Sequence, residues 1–415
     1  MTSDQPARPL PLWAGRTAAL LGILLVALNL RSAVAALSPI ISQISVDIPL
    51  TPLMLGILGA APPLAFALAG LLTPRVSKAL GLEVSLVVAV AAMAVGQLAR
   101  ALAPNAEILL VGTVVTLIGA GIGNVLLPPV VKRYFPDRIT QVTTAYVVLI
   151  SVSTALPALA AVPVASAFGW RVSLGVWVVL ALTALAPWIV AAHAHRKAVR
   201  LARATEEDLG IAPPPGLEGK LFRSRVAWAI MITFTVSSIN VYAMFAWLPA
   251  LLVDTAHVSQ AQAGALLSLY AIVGFPASLV VPALAARPRN VGIIIYVAVG
   301  CFVVGYLGLI LAPAAAPALW VVISGIGPMV FPLALVLINS RTRTHPGSVA
   351  LSGFVQGVGY IIAAASPLAF GALFQGTGSW ATSLLLLLVV SLVGIPAAIA
   401  LRKPRMLEDD LALQS

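Results

Sequence analysis

The chain has 415 residues, of which 60% are hydrophobic and 9% are charged, and its formal net charge is +11. A soluble protein of this size carries about 25% charged residues, so most of this surface is expected to face lipid. The single cysteine, Cys301, excludes an internal disulfide and a multi-cysteine metal site. The basic residues lie between apolar runs rather than in an aromatic-lined groove. We therefore expect neither a nucleic-acid partner nor a metal or cofactor.

About 20 apolar residues are needed for a helix to cross a bilayer. The chain contains twelve such runs, which predict an all-α membrane protein of two pseudo-symmetric six-helix bundles. The polar, proline-containing segment 194–224 separates them as a linker, so the predicted domains are 1–193 and 225–415. The predicted spans are 17–42, 52–74, 82–101, 107–131, 139–166, 171–193, 225–250, 260–285, 290–312, 316–340, 346–373 and 379–402.

The distribution of lysine and arginine predicts the orientation. With both termini in the cytoplasm, 21 of the 24 basic residues lie on the cytoplasmic side, as the positive-inside rule requires. Arg100 and Arg171 fall at the outer ends of spans, and Arg31 falls inside the membrane. The sequence therefore predicts a multi-pass plasma-membrane protein with cytoplasmic termini.

The two halves of the sequence repeat one another. Gly-Ile-Gly at 121–123 precedes a proline by the same distance as Gly-Ile-Gly at 325–327. Three further pairs occur at offsets of 208 to 210: Gly56 with Pro74 and Gly264 with Pro282, Pro39 and Pro249, and Trp170 and Trp380. Parallel repeats of this kind move around a central site near the midplane, which favours alternating access.

Arg31 lies near the middle of the first predicted span, at least about 15 Å from either end. A central arginine costs about 2.5–3.5 kcal/mol on insertion scales, so it should face the bundle interior and have a partner. Every acidic residue falls at a helix end, in a loop or in a tail, which leaves two interpretations. Either a bound anion supplies the missing charge, or carbonyl and side-chain oxygens, such as those of Asn29 or Asn124, satisfy a structural arginine.

Other polar or aromatic residues in the spans are candidates to line a cavity around Arg31. Asn240 ranks highest, because an offset of 210 maps it onto Leu30, beside Arg31. For each of the others, helix packing or an interfacial position is at least as good an explanation. Together with Arg31, the predicted substrate-binding residues are Asn29, Asn124, Tyr146, Asn240, Tyr242, Gln356 and Tyr360, with Ser237, Trp247 and Tyr270 as weaker candidates.

Several segments resemble the cyanate permease and 2-nitroimidazole transporter branch of the major facilitator superfamily. They are Asn29-Leu30-Arg31, GIGNVLLPPVVKRYFPDR at 121–138, AWLPALL at 246–252, FPLALVLI at 331–338 and LSGFVQGVGY at 351–360. The resemblance implies a twelve-helix transporter for a small, flat solute. One departure is GLLTPRVSK at 70–78, which lacks the acidic residue that the superfamily usually has in this loop.

Two functions follow as expectations. The first is a monomeric secondary transporter for a small, cyanate-like anion that Arg31 binds, with membrane lipids as its other partners. The second is an exporter of a neutral or heterocyclic compound such as a 2-nitroimidazole-type drug. An enzyme is disfavoured, because no nucleophile–base pair or metal cluster converges in the spans. Proton antiport is also disfavoured, because every acidic residue and histidine within the predicted spans lies at a span end.

Overall fold

The computed structural model describes residues 16–206, 221–285 and 291–412, and these residues fold almost entirely into helices. We number the twelve long helices α1 to α12. The first six are α1 at Thr17–Ile40, α2 at Pro52–Leu80, α3 at Leu82–Ala101, α4 at Ala106–Tyr134, α5 at Ile139–Phe168 and α6 at Trp170–Glu206. The predicted linker 194–224 thus begins inside α6, and its residues 207–220 lie outside the described part.

The second six are α7 at Arg225–Ala256, α8 at Gln260–Ala285, α9 at Val291–Leu311, α10 at Pro317–Ser340, α11 at His345–Thr377 and α12 at Trp380–Leu401. Three shorter helices are Ile41–Asp47, Leu221–Arg223 and Leu407–Ala412. Eleven helices of the described part are long and apolar enough to cross a membrane. Helix α2, with 29 residues, packs against α4 and α11 and completes the predicted twelve.

Four of the long helices are interrupted. α1 consists of Thr17–Asn29, Ser32–Ala35 and the 3-10 turn Ser38–Ile40, whereas α10 consists of Pro317–Ile326, the 3-10 turn Gly327–Met329 and Val330–Ser340. α11 divides into His345–Ala364 and Ser366–Thr377, and α12 into Trp380–Leu392 and Gly394–Leu401. Prolines lie at the starts of several of these segments, where a missing backbone N–H breaks no helical hydrogen bond.

Side-chain caps and glycines set several helix ends. The side chains of Asn105, Ser224 and Thr344 accept backbone N–H groups at the starts of α4, α7 and α11. Gly169 and Gly378 have positive φ angles of 85° and 66° where α5 and α11 end. A positive φ favours glycine, so a glycine ends the fifth helix of each half.

The same close helix contacts recur in both halves. A Cβ atom at Gly96 of α3 would lie 2.4 Å from Thr116 of α4, and one at Gly305 of α9 would lie 2.7 Å from Ser324 of α10. Small residues allow such close helix approach inside a membrane. The predicted pseudo-symmetry of two six-helix bundles is therefore confirmed at the level of helix packing.

One end of the bundle carries both ends of the described chain, and we call it the terminal side. Arg16 pairs there with Asp137, which follows α4, at 2.6 Å. Ser224, before α7, donates to Asp410 of the last short helix at 2.7 Å. The other end, which we call the opposite side, carries Asp47, Trp170, Asp254 and Trp380.

Candidate functional site

Arg31 lies at the interruption of α1, between the segment that ends at Asn29 and the one that begins at Ser32. The Leu30 N–H bonds to the carbonyl of Ala27, three residues back, at 3.3 Å. The Arg31 carbonyl accepts from Val34 and Ala35 at 3.1 and 2.9 Å, so a new helical turn starts at the arginine. Discontinuous helices near the midplane are a recurrent feature of substrate sites in membrane transporters.

The half-buried Arg31 side chain reaches the other half of the molecule. Its Nη2 atom donates to the Tyr360 hydroxyl of α11 at 3.4 Å. The guanidinium carbon lies 5.0 Å from the ring centre of Phe66 in α2, within the range of a cation–π interaction. Among the described residues, no carboxylate forms an ion pair with Arg31. The cation is thus held by a hydroxyl and an aromatic ring rather than by a counter-charge.

Two amide side chains join the halves beside this arginine. Asn124 of α4 donates to the Gln356 side chain of α11 at 2.5 Å and to the Tyr360 hydroxyl at 3.3 Å. Gln356 in turn donates to Ser352 at 2.9 Å, and Ser352 donates to the carbonyl of Val125 at 2.7 Å. All of these polar groups except the Arg31 side chain are buried.

The α11 residues of this network are spaced four apart and therefore share one face of the helix. Ser348, Ser352, Gln356 and Tyr360 form what we call the polar ladder. Its first member, Ser348, donates to the Asn339 side chain of α10 at 3.0 Å. The polar ladder extends from Arg31 toward the terminal side and lies between the two halves.

Aromatic rings line the same region. The Tyr360 ring lies 5.3 Å from Phe66, 4.9 Å from Phe234 and 6.3 Å from Tyr242, measured between ring centres. Tyr242 is half-buried and lies close enough to Arg31 to interact with it electrostatically. Planar rings around a planar guanidinium are suited to a flat ligand.

Asn29 and Asn240 do not belong to this cluster. Asn29 donates to the carbonyls of Leu25 and Leu180 at 2.8 and 3.2 Å, whereas Asn240 donates to the Val236 carbonyl and Ser391 at 2.7 and 3.2 Å. Each asparagine therefore ties the first helix of its half to the sixth.

The matching hydrogen bonds of the two asparagines shift the predicted alignment of the two halves by one residue in this region. Asn240 corresponds to Asn29 rather than to Leu30, because all three pairs of bonded positions differ by 211. Arg31 then corresponds to Tyr242. The C-terminal half thus places an aromatic hydroxyl where the N-terminal half has a cation, and the two side chains lie near one another.

The remaining candidates serve other contacts. Tyr146 is fully buried in the core, and its hydroxyl has no hydrogen-bond partner among the described residues. Ser237 donates to the Pro328 carbonyl, and Trp247 donates to the Pro367 carbonyl. Tyr270 is buried beside Gly325 of α10. The structure thus brings together five of the eight predicted site residues: Arg31, Asn124, Tyr242, Gln356 and Tyr360.

The halves are in close contact on the terminal side. A Cβ atom at Gly70 of α2 would lie 2.4 Å from the backbone of Gly357 in α11. Lys132 of α4 donates to the Asn339 carbonyl at 3.1 Å, to the Thr342 hydroxyl at 2.7 Å and to the Thr342 carbonyl. The site is therefore closed toward the terminal side.

The halves separate toward the opposite side. Along one face of α1, Arg31, Val34 and Ala35 are half-buried, and Ser38 and Pro39 are exposed. On α11, Leu368 lies beyond the interruption at Ala365 and is 73% exposed. On α2, a Cβ atom at Gly59 would meet nothing within 4 Å. The site is open on this side.

Sequence reasoning missed Phe66, Phe234, Ser352 and Lys132. Phenylalanines inside apolar spans give no signal of their own, because a helix that is apolar all round does not reveal which face is internal. Lys132 lies near a helix end, where a lysine indicates topology. Ser352 had a usable signal, since it lies four residues before Gln356 within the segment 351–360.

Comparisons with known proteins identify the family of this chain. Residues 19–364 match the family model of the Major Facilitator Superfamily. The chain is 31% identical over 381 residues to the uncharacterized transporter YycB of Bacillus subtilis, covering 91% of each protein. It is 32% identical over 375 residues to the 2-nitroimidazole transporter of Escherichia coli, covering 90% of this chain and 92% of that protein.

A third relative is the cyanate transport protein CynX of Escherichia coli, 27% identical over 368 residues, with 87% of this chain and 91% of that protein covered. Among solved structures, the proton:xylose symporter XylE superimposes with a TM-score of 0.71 at 11% identity. The superposition covers 96% of this chain and 99% of that chain. Since the family model spans most of the chain and the fold agrees, this membrane protein belongs to the Major Facilitator Superfamily.

Proposed function

We propose that this protein is a secondary transporter that moves a small, flat, anionic solute of the cyanate type by alternating access, with Arg31 as the anion-binding residue. The observation that carries this proposal is the position of Arg31. Its guanidinium lies between the halves against Tyr360 and Phe66, and no carboxylate of the described residues pairs with it. A cation inside a membrane is costly, and an anionic ligand removes that cost.

The hydrogen bonds around Tyr360 support an acceptor-bearing ligand. Its hydroxyl oxygen accepts from Arg31 and from Asn124. A phenol has one proton to donate, and no described residue accepts it. An anion beside Arg31 accepts from both the guanidinium and this hydroxyl, and charge-assisted bonds of this kind are about twice as strong as neutral ones.

The relatives support a small, flat substrate. One is named a 2-nitroimidazole transporter and another a cyanate transport protein. Cyanate is a linear anion, and a nitro group presents two acceptor oxygens in a plane. Both fit between aromatic rings beside a planar donor such as arginine.

The direction of opening follows from the charges. The predicted topology puts 21 of the 24 basic residues on the side that carries both termini, so we assign the terminal side to the cytoplasm of the plasma membrane. The site then opens to the outside. Alternation requires the polar ladder and the Lys132 contacts to separate while the opposite side closes.

The test is ligand-induced thermal stabilisation of the purified protein, followed by flux in proteoliposomes. The panel contains cyanate, nitrate, short carboxylates and 2-nitroimidazole, with Arg31→Ala and Arg31→Lys as variants. Arg75→Ala, an exposed arginine on α2, is the matched control. We expect an anion to raise the unfolding temperature of wild type and of the control, because a ligand that only the folded protein binds stabilises it. The unfolding temperature of both Arg31 variants should not respond, because they lack the guanidinium that binds the anion.

A second function is export of a neutral heterocycle such as a 2-nitroimidazole-type compound. The four aromatic rings of Phe66, Phe234, Tyr242 and Tyr360 favour it, because they offer stacking surface that needs no charge. Stabilisation by 2-nitroimidazole that persists in Arg31→Ala would support this function and contradict the anion proposal.

A further inference from the structure

Three residues contact one another at the opposite-side end of the N-terminal half. The Trp170 indole N–H donates to the Asp47 carboxylate at 2.8 Å. The Arg171 guanidinium pairs with the same carboxylate at 3.0 Å and lies 4.2 Å from the centre of the Trp170 ring. Its Nη2 atom also lies 3.5 Å from the Ala103 carbonyl. We call this arrangement the arginine clip, because one guanidinium is held by a carboxylate, an aromatic face and a carbonyl.

The C-terminal half repeats the clip without its arginine. The Trp380 indole N–H donates to the Asp254 carboxylate at 2.8 Å, the same distance as in the first half. An offset of 210 maps Trp170 onto Trp380 and Arg171 onto Ala381. The loop tripeptide Leu-Ala-Pro also recurs, at 102–104 and at 311–313. The carboxylate and the indole that hold the Arg171 guanidinium are thus present in both halves, whereas the carbonyl that corresponds to Ala103, that of Ala312, accepts from the Trp320 indole N–H at 2.9 Å.

A cavity of about 440 Å³ lies where the arginine is missing. Its lining includes Asp254, Pro313, Trp380 and Ala381, which correspond to Asp47, Pro104, Trp170 and Arg171. Asp254 is exposed, and it forms no ion pair with any described residue. The half-buried Phe374 also lines the cavity and stacks on Trp380 with 3.7 Å between ring centres.

We propose that this cavity binds a small organic cation that carries a guanidinium group. A carboxylate beside aromatic surface attracts cations by charge and by the ring quadrupole. A guanidinium also matches a carboxylate with two parallel N–H donors. The N-terminal half contains the filled form of the same site, in which the chain supplies this group itself. The site lies on the opposite side, at the ends of α7, α9 and α11 and the start of α12, away from Arg31.

Methylguanidinium is the probe, and methylurea is its neutral control of nearly the same shape. We expect low millimolar methylguanidinium to raise the unfolding temperature of the purified wild-type protein in a saturable way, because a ligand of the folded state stabilises it by mass action. Methylurea should have no such effect.

Two variants locate the binding. Asp254→Asn keeps the size of the side chain and an acceptor for Trp380, and it should abolish the response because the charge is lost. Ala381→Arg places an arginine at the position that corresponds to Arg171. It should abolish the response and raise the unfolding temperature without ligand.

The reverse change supplies an internal control. Arg171→Ala opens the N-terminal clip beside Asp47 and should lower the unfolding temperature. Methylguanidinium should then restore stability and give a response about twice that of the wild type, since two sites bind. In Arg171→Ala combined with Asp254→Asn, one site should remain.

A wild-type response that is absent, or that methylurea reproduces, would overturn the proposal. So would a response that persists undiminished in Asp254→Asn. These readouts are independent of Arg31, so the transport proposal stands or fails separately.

Discussion

The terminal-side and opposite-side parts of the interface between the halves differ in how closely the same helices approach. On α2, Gly70 is in backbone contact with α11, whereas Gly59 meets nothing within 4 Å. On α11, the polar ladder is buried between the halves, whereas Leu368, beyond the interruption at Ala365, is exposed. Arg31 lies where the two parts meet. The closed part is held by specific contacts, and these contacts are what a change of access must break.

The largest effect on the closure of the terminal side is expected from Gly70→Ala. The added methyl group would lie 2.4 Å from the Gly357 backbone, which cannot move without shifting α11. Overpacking of this kind costs about 1–3 kcal/mol, here only in the closed arrangement. Spin labels at Gln141 and Lys403, in a background without Cys301, should report a longer distance across the terminal side.

Gly59→Ala is the matched control on the same helix. It should leave the label distance and the unfolding temperature unchanged. Equal effects of the two substitutions would contradict the assignment of a closed and an open part.

Lys132→Met should have the next largest effect on the closure of the terminal side. The ammonium group bonds to Asn339 and Thr342 across the interface, and hydrogen bonds of charged groups contribute about 1.5–3 kcal/mol. Its removal should shift the equilibrium at least about tenfold toward a form that is open on the terminal side. The same spin-label distance distribution measures this shift.

The exposed Lys78 lies near the same side and provides the control substitution Lys78→Met. A shift of similar size there would mean that net charge, rather than the Lys132 contacts, closes the terminal side.

Tyr360→Phe should have a smaller effect that concerns ligand binding more than opening. The variant keeps the ring contacts but removes the hydroxyl that accepts from Arg31 and Asn124. We expect anion affinity to fall about tenfold, because one hydrogen bond to a charged group is lost. Tyr306→Phe is the control, since its hydroxyl donates to Asn240 within one half. It should leave affinity unchanged while lowering stability.

The smallest effect, a change in how stability depends on pH, is expected from the Arg16–Asp137 pair at the surface of the terminal side. Arg16 holds the pKa of Asp137 below its usual range by a hydrogen bond and by its charge. Because the folded pKa is depressed, this stabilisation is present above the unfolded pKa and disappears as pH falls through the folded value. Unfolding temperature measured from pH 6 to pH 3 should therefore decline slightly less steeply in Asp137→Asn. If the unfolding temperature of Asp137→Asn declines as steeply at acidic pH as that of the wild type, this pair does not stabilise the fold.

Apolar run length and the glycine and proline pattern were sufficient to predict the twelve-helix fold in two halves, and run length was sufficient to predict that Arg31 lies within the first long helix. The type of a single residue was not sufficient to predict whether its side chain lines the cavity. Asn29 and Asn240 looked like cavity residues, but both bond within their own half. Which face of a uniformly apolar helix turns inward depends on packing against other helices, and one sequence does not contain that information in readable form.

Contacts between distant segments were the other missing part. Lys132 meets Thr342 across 210 residues, and Arg31 meets Tyr360 across 329 residues. In the sequence the acidic residues all lie at helix ends, in loops or in tails, and in the described part of the chain none of them pairs with Arg31. The predicted linker and the predicted orientation stay predictions.

The central claim is that Arg31 binds an anion in a site that is closed toward the terminal side. The most direct measurement is isothermal titration of the purified protein with cyanate and with 2-nitroimidazole, on wild type, Arg31→Lys and Arg75→Ala. The account predicts saturable cyanate binding to wild type and Arg75→Ala that falls at least about tenfold in Arg31→Lys, because the planar bidentate donor is lost. Cyanate binding of equal affinity in all three proteins, or binding of 2-nitroimidazole alone, would contradict it.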